Sequence, residues 1–165
     1  MRFFIMDMTI REASRHDVAG IIGLMREFAE FEKLAAYCVI TEEKLSKALF
    51  DAGSFVESFV AFEGERMIAY TIFYPHFTSF RGESGFYLED IFITGDYRGK
   101  AVGEMMLRKI ALKAKARGYE RIDFQVRDWN KPAIGFYEKL GAEGNFDESH
   151  FKFAGKAFEN LASQN

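Results

Sequence analysis

Two periods of hydrophobic spacing run along the chain, and the points where one gives way to the other predict its elements. Residues 9–13 read as a short strand, and Ser14 follows as a helix N-cap with Asp17 three residues on, in the manner of a capping box. Val18, Ile21, Ile22, Met25 and Phe28 then recur at helical spacing, which predicts a helix to about residue 33. Thr41 caps a second helix carrying Leu45, Ala48 and Leu49, and Gly53 ends it. Two runs rich in Phe, Val, Ile and Tyr, residues 55–62 and 67–74, flank Glu63-Gly64-Glu65 and read as a hairpin. Residues 75–85 are polar and read as a loop. Residues 86–93 are the most strand-like segment, although two adjacent carboxylates, Glu89 and Asp90, interrupt them.

Beyond that strand, residues 95–100 lead into a third helix with Val102, Met105, Met106 and Ile110 on one side. Lys113, Lys115 and Arg117 suit the negative end of its dipole, and Gly118 supplies the stop. Residues 121–126 read as another strand, Pro132 opens a short helix that ends at Gly141, and residues 146–153 are expected to return as a last strand. No internal repeat, linker or low-complexity tract interrupts this order. Helices before an antiparallel hairpin, then strand–helix–strand, predict a mixed α/β fold with part of the sheet parallel.

A length of 165 residues fits one domain, taken as residues 8–165 with 1–7 as an N-terminal extension. Apolar residues at 48% and charged residues at 28% exclude a disordered chain. Aromatics at 16%, nineteen of them Phe, imply a bulky core and apolar surface for a partner. A formal charge of −3 speaks against nonspecific nucleic-acid binding and mildly favours small cations. Cys38 is the one cysteine, so no internal disulfide forms and a reducing, cytoplasmic location is expected. No Cys/His cluster has zinc spacing, and His16, His76 and His150 lie far apart, so no metal is expected. The apolar start is cut short by Asp7, too brief for a signal sequence, and no run is long enough to cross a membrane.

The loop before the third helix carries the first chemistry. A strand, a glycine-bearing turn and a helix N-terminus in that order aim free N–H groups and a positive dipole end at whatever sits there. Arg98 and Lys100 suit phosphate, and Gly99 and Gly103 let the backbone approach a ligand. The P-loop pattern fails, because three residues separate Gly95 from Gly99 and Ala101 follows Lys100. No G-x-G-x-x-G triplet occurs. From the loop alone, a plain turn with solvated cations is an equal reading.

Arg98-Gly99-Lys100-Ala101-Val102-Gly103 resembles the pyrophosphate-binding segment of the GNAT acetyltransferase superfamily, Arg or Gln, two residues, Gly, one residue, Gly or Ala, with Ala101 in place of the middle glycine. The similarity extends through Ile10-Arg11-Glu12-Ala13, Arg26 to Leu34, Tyr87-Leu88-Glu89-Asp90-Ile91, Asp96-Tyr97-Arg98-Gly99, Asp128-Trp129-Asn130 and Phe136 to Ala142. These segments are similar to the diamine (spermidine/spermine) acetyltransferases and still more to their thialysine-acetylating relatives. The resemblance implies a mixed, mostly antiparallel sheet with a central splayed parallel strand pair, flanked by helices. It implies transfer of acetyl from acetyl-CoA to a primary amine of a small cation, and a homodimer.

By position, the resemblance puts the pantetheine arm on the backbone of Ile91, Phe92 and Ile93. The pyrophosphate falls to Arg98, Gly99, Lys100, Ala101, Val102, Gly103 and Glu104, and the opposite wall to Asn130, Lys131, Pro132 and Ala133. Glu89 matches the strand glutamate that takes the amine proton through water. Burial in an apolar strand is expected to raise its pKa. Tyr137 matches the tyrosine acid that protonates the departing thiolate. Glu32 and Phe31 match a substrate-binding end of the first helix, where carboxylate and ring would hold a distal ammonium. Asp123, Phe124 and Gln125 correspond to a further substrate-lining stretch. Asp90 reads as substrate contact or structural ion pair, and in a regular strand it faces away from Glu89. The chief departure is Glu148-Ser149-His150, where the relatives carry a tryptophan; here Trp129 is the only one. Acetylation of a protein or peptide amine, and acetyl-CoA binding without turnover, are the competing readings.

Overall fold

A computed structural model describes residues 8–163, so the expected extension at 1–7 lies outside the described residues. The chain divides into two compact units, residues 1–125 and 126–165. The first unit holds a five-stranded sheet in the order β1-β2-β3-β4-β5. These strands are β1 (Met8–Glu12), β2 (Phe59–Glu63), β3 (Arg66–Thr78), β4 (Glu83–Ile93) and β5 (Arg121–Phe124). All neighbours are antiparallel except β4 and β5, which run parallel.

The sheet separates two cores, as alternation along its strands requires. On one face Val60, Tyr70, Ile72 and Phe92 pack with Val18, Ile21 and Ile22 of α1 (Val18–Phe31) and Leu45 of α2 (Glu42–Phe50). On the other, Phe59, Phe73, Phe86 and Leu88 meet Val102, Met106 and Ile110 of α3 (Val102–Ala116). Ile21, Tyr70, Phe73, Phe86, Met106 and Ile110 are fully buried, each contributing about 1.5–3 kcal/mol by leaving water. Gly85 is required by the parallel pair: a Cβ there would stand 2.4 Å from the Arg121 carbonyl oxygen.

The expected loop at residues 75–85 is instead the far end of a long hairpin. β3 continues to Thr78 and β4 begins at Glu83, with Pro75 paired to Phe86 and His76 to Gly85. Pro75 is tolerated because contact with the preceding segment stops at the Glu57–Phe73 bridge, so no ladder on that side asks for its missing N–H. The helix expected from Ser14 begins with a 3-10 turn, Arg15–Asp17, before α1. Asp17 accepts the Ser14 backbone N–H at 2.7 Å and the Ser14 hydroxyl at 2.8 Å. The Arg11 guanidinium grips the same carboxylate with two bonds of 2.7 and 2.9 Å. That fork pins β1 to the start of α1.

The second unit contains α4 (Lys131–Lys139) and α5 (Lys156–Ser163). The strand expected at 146–153 does not form; Phe146, Phe151 and Phe153 are exposed in irregular backbone. The run Asp147-Glu148-Ser149-His150 breaks the alternation a strand needs. No helix among the described residues is long and apolar enough to cross a membrane.

The Arg11 bonds, followed by those from Ser14, hold the Asp17 carboxyl down at about 2, well below its ordinary value. A depressed carboxylate contributes stability above its unfolded value and loses it as pH falls toward the native one. Asp17→Asn is expected to cost about 2 kcal/mol at about pH 7 by urea unfolding, with the deficit shrinking between about pH 4 and 2. A deficit that persists unchanged at the acid end would contradict this.

Candidate active site

Parallel pairing of β4 with β5 runs from Gly85–Arg121 to Leu88–Phe124 and stops there, while β4 continues to Ile93. Residues 89–93 remain paired to β3 on one side. On the other side no described strand pairs with them, which leaves a stretch of backbone edge at the mouth of the parallel pair. This is the splayed opening expected by resemblance. Backbone donors and acceptors along such an edge suit an extended ligand carrying amides.

At the same point β4 bulges. Ile72 pairs with Asp90 and Phe73 with Leu88, so Glu89 is the extra residue. The bulge changes which way the two carboxylates face. Tyr70 and Tyr74 stand four residues apart on β3 and so share a face. The Tyr74 hydroxyl donates to Glu89 Oε2 at 3.0 Å, and the Tyr70 hydroxyl donates to Asp90 Oδ2 at 3.1 Å. Glu89 and Asp90 thus lie on the α1 side of the sheet together, where a regular strand would have separated them.

Burial also falls on the other member of the pair than expected. Glu89 is exposed, whereas burial pushes the Asp90 carboxyl up to about 6, aided by the negative charge of Glu89 and Glu32 and opposed by the Tyr70 hydrogen bond. Glu32 follows the last residue of α1 as its C-cap, and its charge reaches both Asp90 and Tyr70. Burial, then the bond to Glu89, raises the Tyr74 phenol to about 12. The structure therefore brings Glu32, Glu89 and Asp90 into one field of negative charge on one face.

The loop into α3 is built as an N-terminus open to a ligand. Gly99 has φ +73° and Ala101 φ +62°, so the residue replacing the family's glycine adopts the left-handed conformation that glycine favours. Ala101 is the N-cap and offers no side-chain cap, and the first helical bond runs from Met105 N–H to the Ala101 carbonyl. The N–H groups of Val102, Gly103 and Glu104 precede it and have no intrahelical acceptor. Lys100 Nζ rests 4.7 Å over the Tyr97 ring, and Glu104 pairs with Arg108 at 2.7 Å. Arg98 turns toward the carboxylate face. Its Nε donates to the Ile93 carbonyl at 3.1 Å, and its guanidinium lies 4.4 Å over Phe31 and 5.4 Å over Phe92.

Other expected residues fall elsewhere. Asp123 pairs across from Tyr87 and bonds to Arg121, while Phe124 packs with the α3-side core, on the opposite face from Asp123. Gln125 directly follows β5. Asn130, Lys131, Pro132, Ala133 and Tyr137 belong to the second unit. There Asn130 caps α4 by accepting the Ala133 N–H at 3.3 Å, with Pro132 in the first turn. Burial raises the Tyr137 phenol to about 12. Tyr70, Tyr74 and Arg121 were not foreseen. The four-residue spacing of the two tyrosines within a strand was a usable signal, but it also fits two core aromatics.

Residues 22–142 match the Acetyltransferase (GNAT) family. The thialysine N-epsilon-acetyltransferase of Bos taurus is 33% identical, over 94% of this chain and 97% of that protein. The L-ornithine N5-acetyltransferase NATA1 of Arabidopsis thaliana is 29% identical, over 81% of this chain and 78% of that protein. Among solved structures, an integron cassette protein from the mobile metagenome of V. cholerae has a TM-score of 0.79 at 21% identity, covering 96% of this chain and 99% of that one.

An unfolded aspartate titrates near 3.9, so Asp90 is protonated in the folded protein over a window, about pH 4 to 6, where the unfolded chain is not. Its contribution to stability therefore falls as pH rises through that window. Asp90→Asn keeps an acceptor for Tyr70 and is expected to exceed the parent by about 1–2 kcal/mol at about pH 8 and to match it at about pH 4. Urea midpoints at the two pH values check this; a gap that widens toward acid would refute it. Ala101→Gly is expected to raise stability by about 0.5–1 kcal/mol through relief of the left-handed alanine, read as a higher melting temperature.

Proposed function

The chain belongs to the GNAT acetyltransferase family, and on that premise we propose that it moves the acetyl group of acetyl-CoA directly to a primary amine of a small cation such as a diamine, polyamine or lysine-like molecule. The observation that carries this reading is the edge of β4 at 89–93, which carries Glu89 and Asp90 and which no described strand covers on the β5 side. Pantetheine amides add to Ile91, Phe92 and Ile93 as a further strand would. The pyrophosphate sits on the N–H groups of Val102, Gly103 and Glu104, with Gly99 and Ala101 giving the turn and Lys100 adding charge. Arg98 stands between this loop and Phe31. Asn130, Lys131, Pro132 and Ala133 are carried over from the resemblance as further acetyl-CoA contacts.

A free alkylammonium has a pKa near 10.4 and no lone pair to attack with. Glu89, exposed and fixed by Tyr74, takes its proton through water. The nitrogen lone pair then forms the N–C bond to the thioester carbonyl as the C–S bond breaks. Tyr137, still a neutral phenol at physiological pH, gives its proton to the departing sulfur. Phe31 and Glu32 hold a distal ammonium by ring face and carboxylate. The names of the thialysine and ornithine relatives support a small acceptor of this kind. A cytoplasmic homodimer completes the proposal, supported by the lone Cys38 and by exposed Phe151, Phe153 and Phe158.

Mass spectrometry of products from a mixture of diamines, polyamines, lysine analogues and peptides tests the reading. Acetylated small amines are expected. Peptide products alone would shift the acceptor class, and acetyl-CoA binding without product would make the protein a binding module. Glu89→Gln is expected to lower kcat about 100-fold or more with the KM for acetyl-CoA within about twofold. Unchanged turnover would remove Glu89 as the base.

A further inference from the structure

The two cations of the loop into α3 part company. Lys100 rests over Tyr97, which packs with the α3-side core. Arg98 goes to the other face of the sheet, where its guanidinium lies over Phe31 at the end of α1 and over Phe92 of β4. Phe92 and Asp90 stand two residues apart on that face, about 7 Å along the strand. A positive charge therefore stands next to the acidic face that Glu89 and Asp90 make. One donor anchors it: Arg98 Nε bonds the Ile93 carbonyl. That carbonyl points into the opening, because the Thr94 N–H bonds the Ile68 carbonyl and antiparallel alternation then turns Ile93 away from β3. Arg98 is exposed, and among the described residues no group accepts from its Nη1 or Nη2. Arg121 of β5 is the contrast, its fork spent on Asp123 through Nε and Nη2, both at 2.7 Å, with Nη1 donating to Glu83 Oε2 at 3.0 Å and Thr78 Oγ1 at 3.3 Å. With Nε held, the Nη1–Nη2 edge of Arg98 is the one that takes a carboxylate by two parallel bonds.

We propose that Arg98 reads the far end of the acceptor: it binds an α-carboxylate, and so selects amino acids of lysine size over diamines of the same chain length. The reacting amine goes to Glu89, the carbon chain runs past Asp90 toward Phe92, and the carboxylate closes on the guanidinium. The α-ammonium of such an acceptor meets the same negative field as the distal ammonium of a diamine, so the carboxylate is what tells the two apart. The pyrophosphate is left to Lys100 and to the N–H groups of Val102, Gly103 and Glu104. This inference rests on the amine acetyltransferase reading above and narrows its substrate class.

L-Lysine and pentane-1,5-diamine differ only by the carboxylate, and L-lysinamide keeps the size of lysine without that charge. Steady-state kinetics with the three at saturating acetyl-CoA test the inference in the wild-type protein, in Arg98→Gln and in Arg98→Lys. Any effect of Arg98 on acetyl-CoA cancels in the ratio of two acceptors. The wild type is expected to favour lysine over both others in kcat/KM. Arg98→Gln is expected to lower the lysine-to-diamine ratio about tenfold, the size of one charge-assisted bond. The lysinamide-to-diamine ratio is expected to stay within about twofold, a pattern that mere loosening of the loop would not produce. Arg98→Lys, which keeps a charge but loses the fork, is expected to shift the lysine-to-diamine ratio about threefold in the same direction, and it stands in should Arg98→Gln fail to fold. A wild type that prefers the diamine to lysine overturns the inference while leaving the amine acetyltransferase reading intact. So does a ratio unmoved in a folded Arg98 variant whose KM for acetyl-CoA rises, which would return Arg98 to the pyrophosphate, or one whose KM is also unmoved. Acetylation of none of the three by the wild type defeats that reading and this inference with it.

Discussion

Backbone polar groups must be paired or solvated, and the inequality of β4 and β5 decides where this chain leaves them without a strand partner. β5 covers β4 only to Leu88, and no described strand pairs with the next five residues of β4 on that side. Everything of chemical interest in the first unit is arranged around that edge. The bulge at Glu89 lies at its start, and the loop into α3 follows its end at Ile93. The Arg98 bond to the Ile93 carbonyl joins that loop to the edge and, through Phe31, to the end of α1.

The bulge brings a second constraint, because it sets two adjacent carboxylates on one face under an aromatic layer. Tyr70 and Tyr74 answer it with one phenol each, so that the exposed Glu89 and the half-buried Asp90 are held without a cation among the described residues. Partly burying a carboxylate beside two others disfavours its charge, which pushes Asp90 up to about 6. The fold accepts that cost on the face where the proposed function calls for attraction of a cation. Arg11 and Asp17 show the contrast, a buried carboxylate whose guanidinium partner pushes its pKa down instead of up.

Much of this was legible in the chain, for reasons that differ by element. Helical spacing from Val18 to Phe28 and the Glu63-Gly64-Glu65 turn are local signals, and both elements formed close to where they were expected. The residues 75–85 misled because Pro75 and a polar face resemble a loop; only the absence of a neighbouring strand on that side makes the proline acceptable. Residues 146–153 offered aromatics without alternation, and no strand formed. The joint placement of Glu89 and Asp90 was hidden for a different reason: a bulge is a register event between two strands and leaves no mark in a period of two. The Arg121 fork combines a local pair, two residues apart, with Glu83 and Thr78, which only the hairpin brings near.

The edge at 89–93 is placed to receive an extended ligand as a strand. Hydrogen–deuterium exchange of the whole protein, with and without saturating coenzyme A, tests it most directly. Slowed exchange is expected in two places: at the amides of 89–93 that β3 does not already bond, and at Val102, Gly103 and Glu104. Saturable binding that leaves both segments exchanging at their free rates would contradict it.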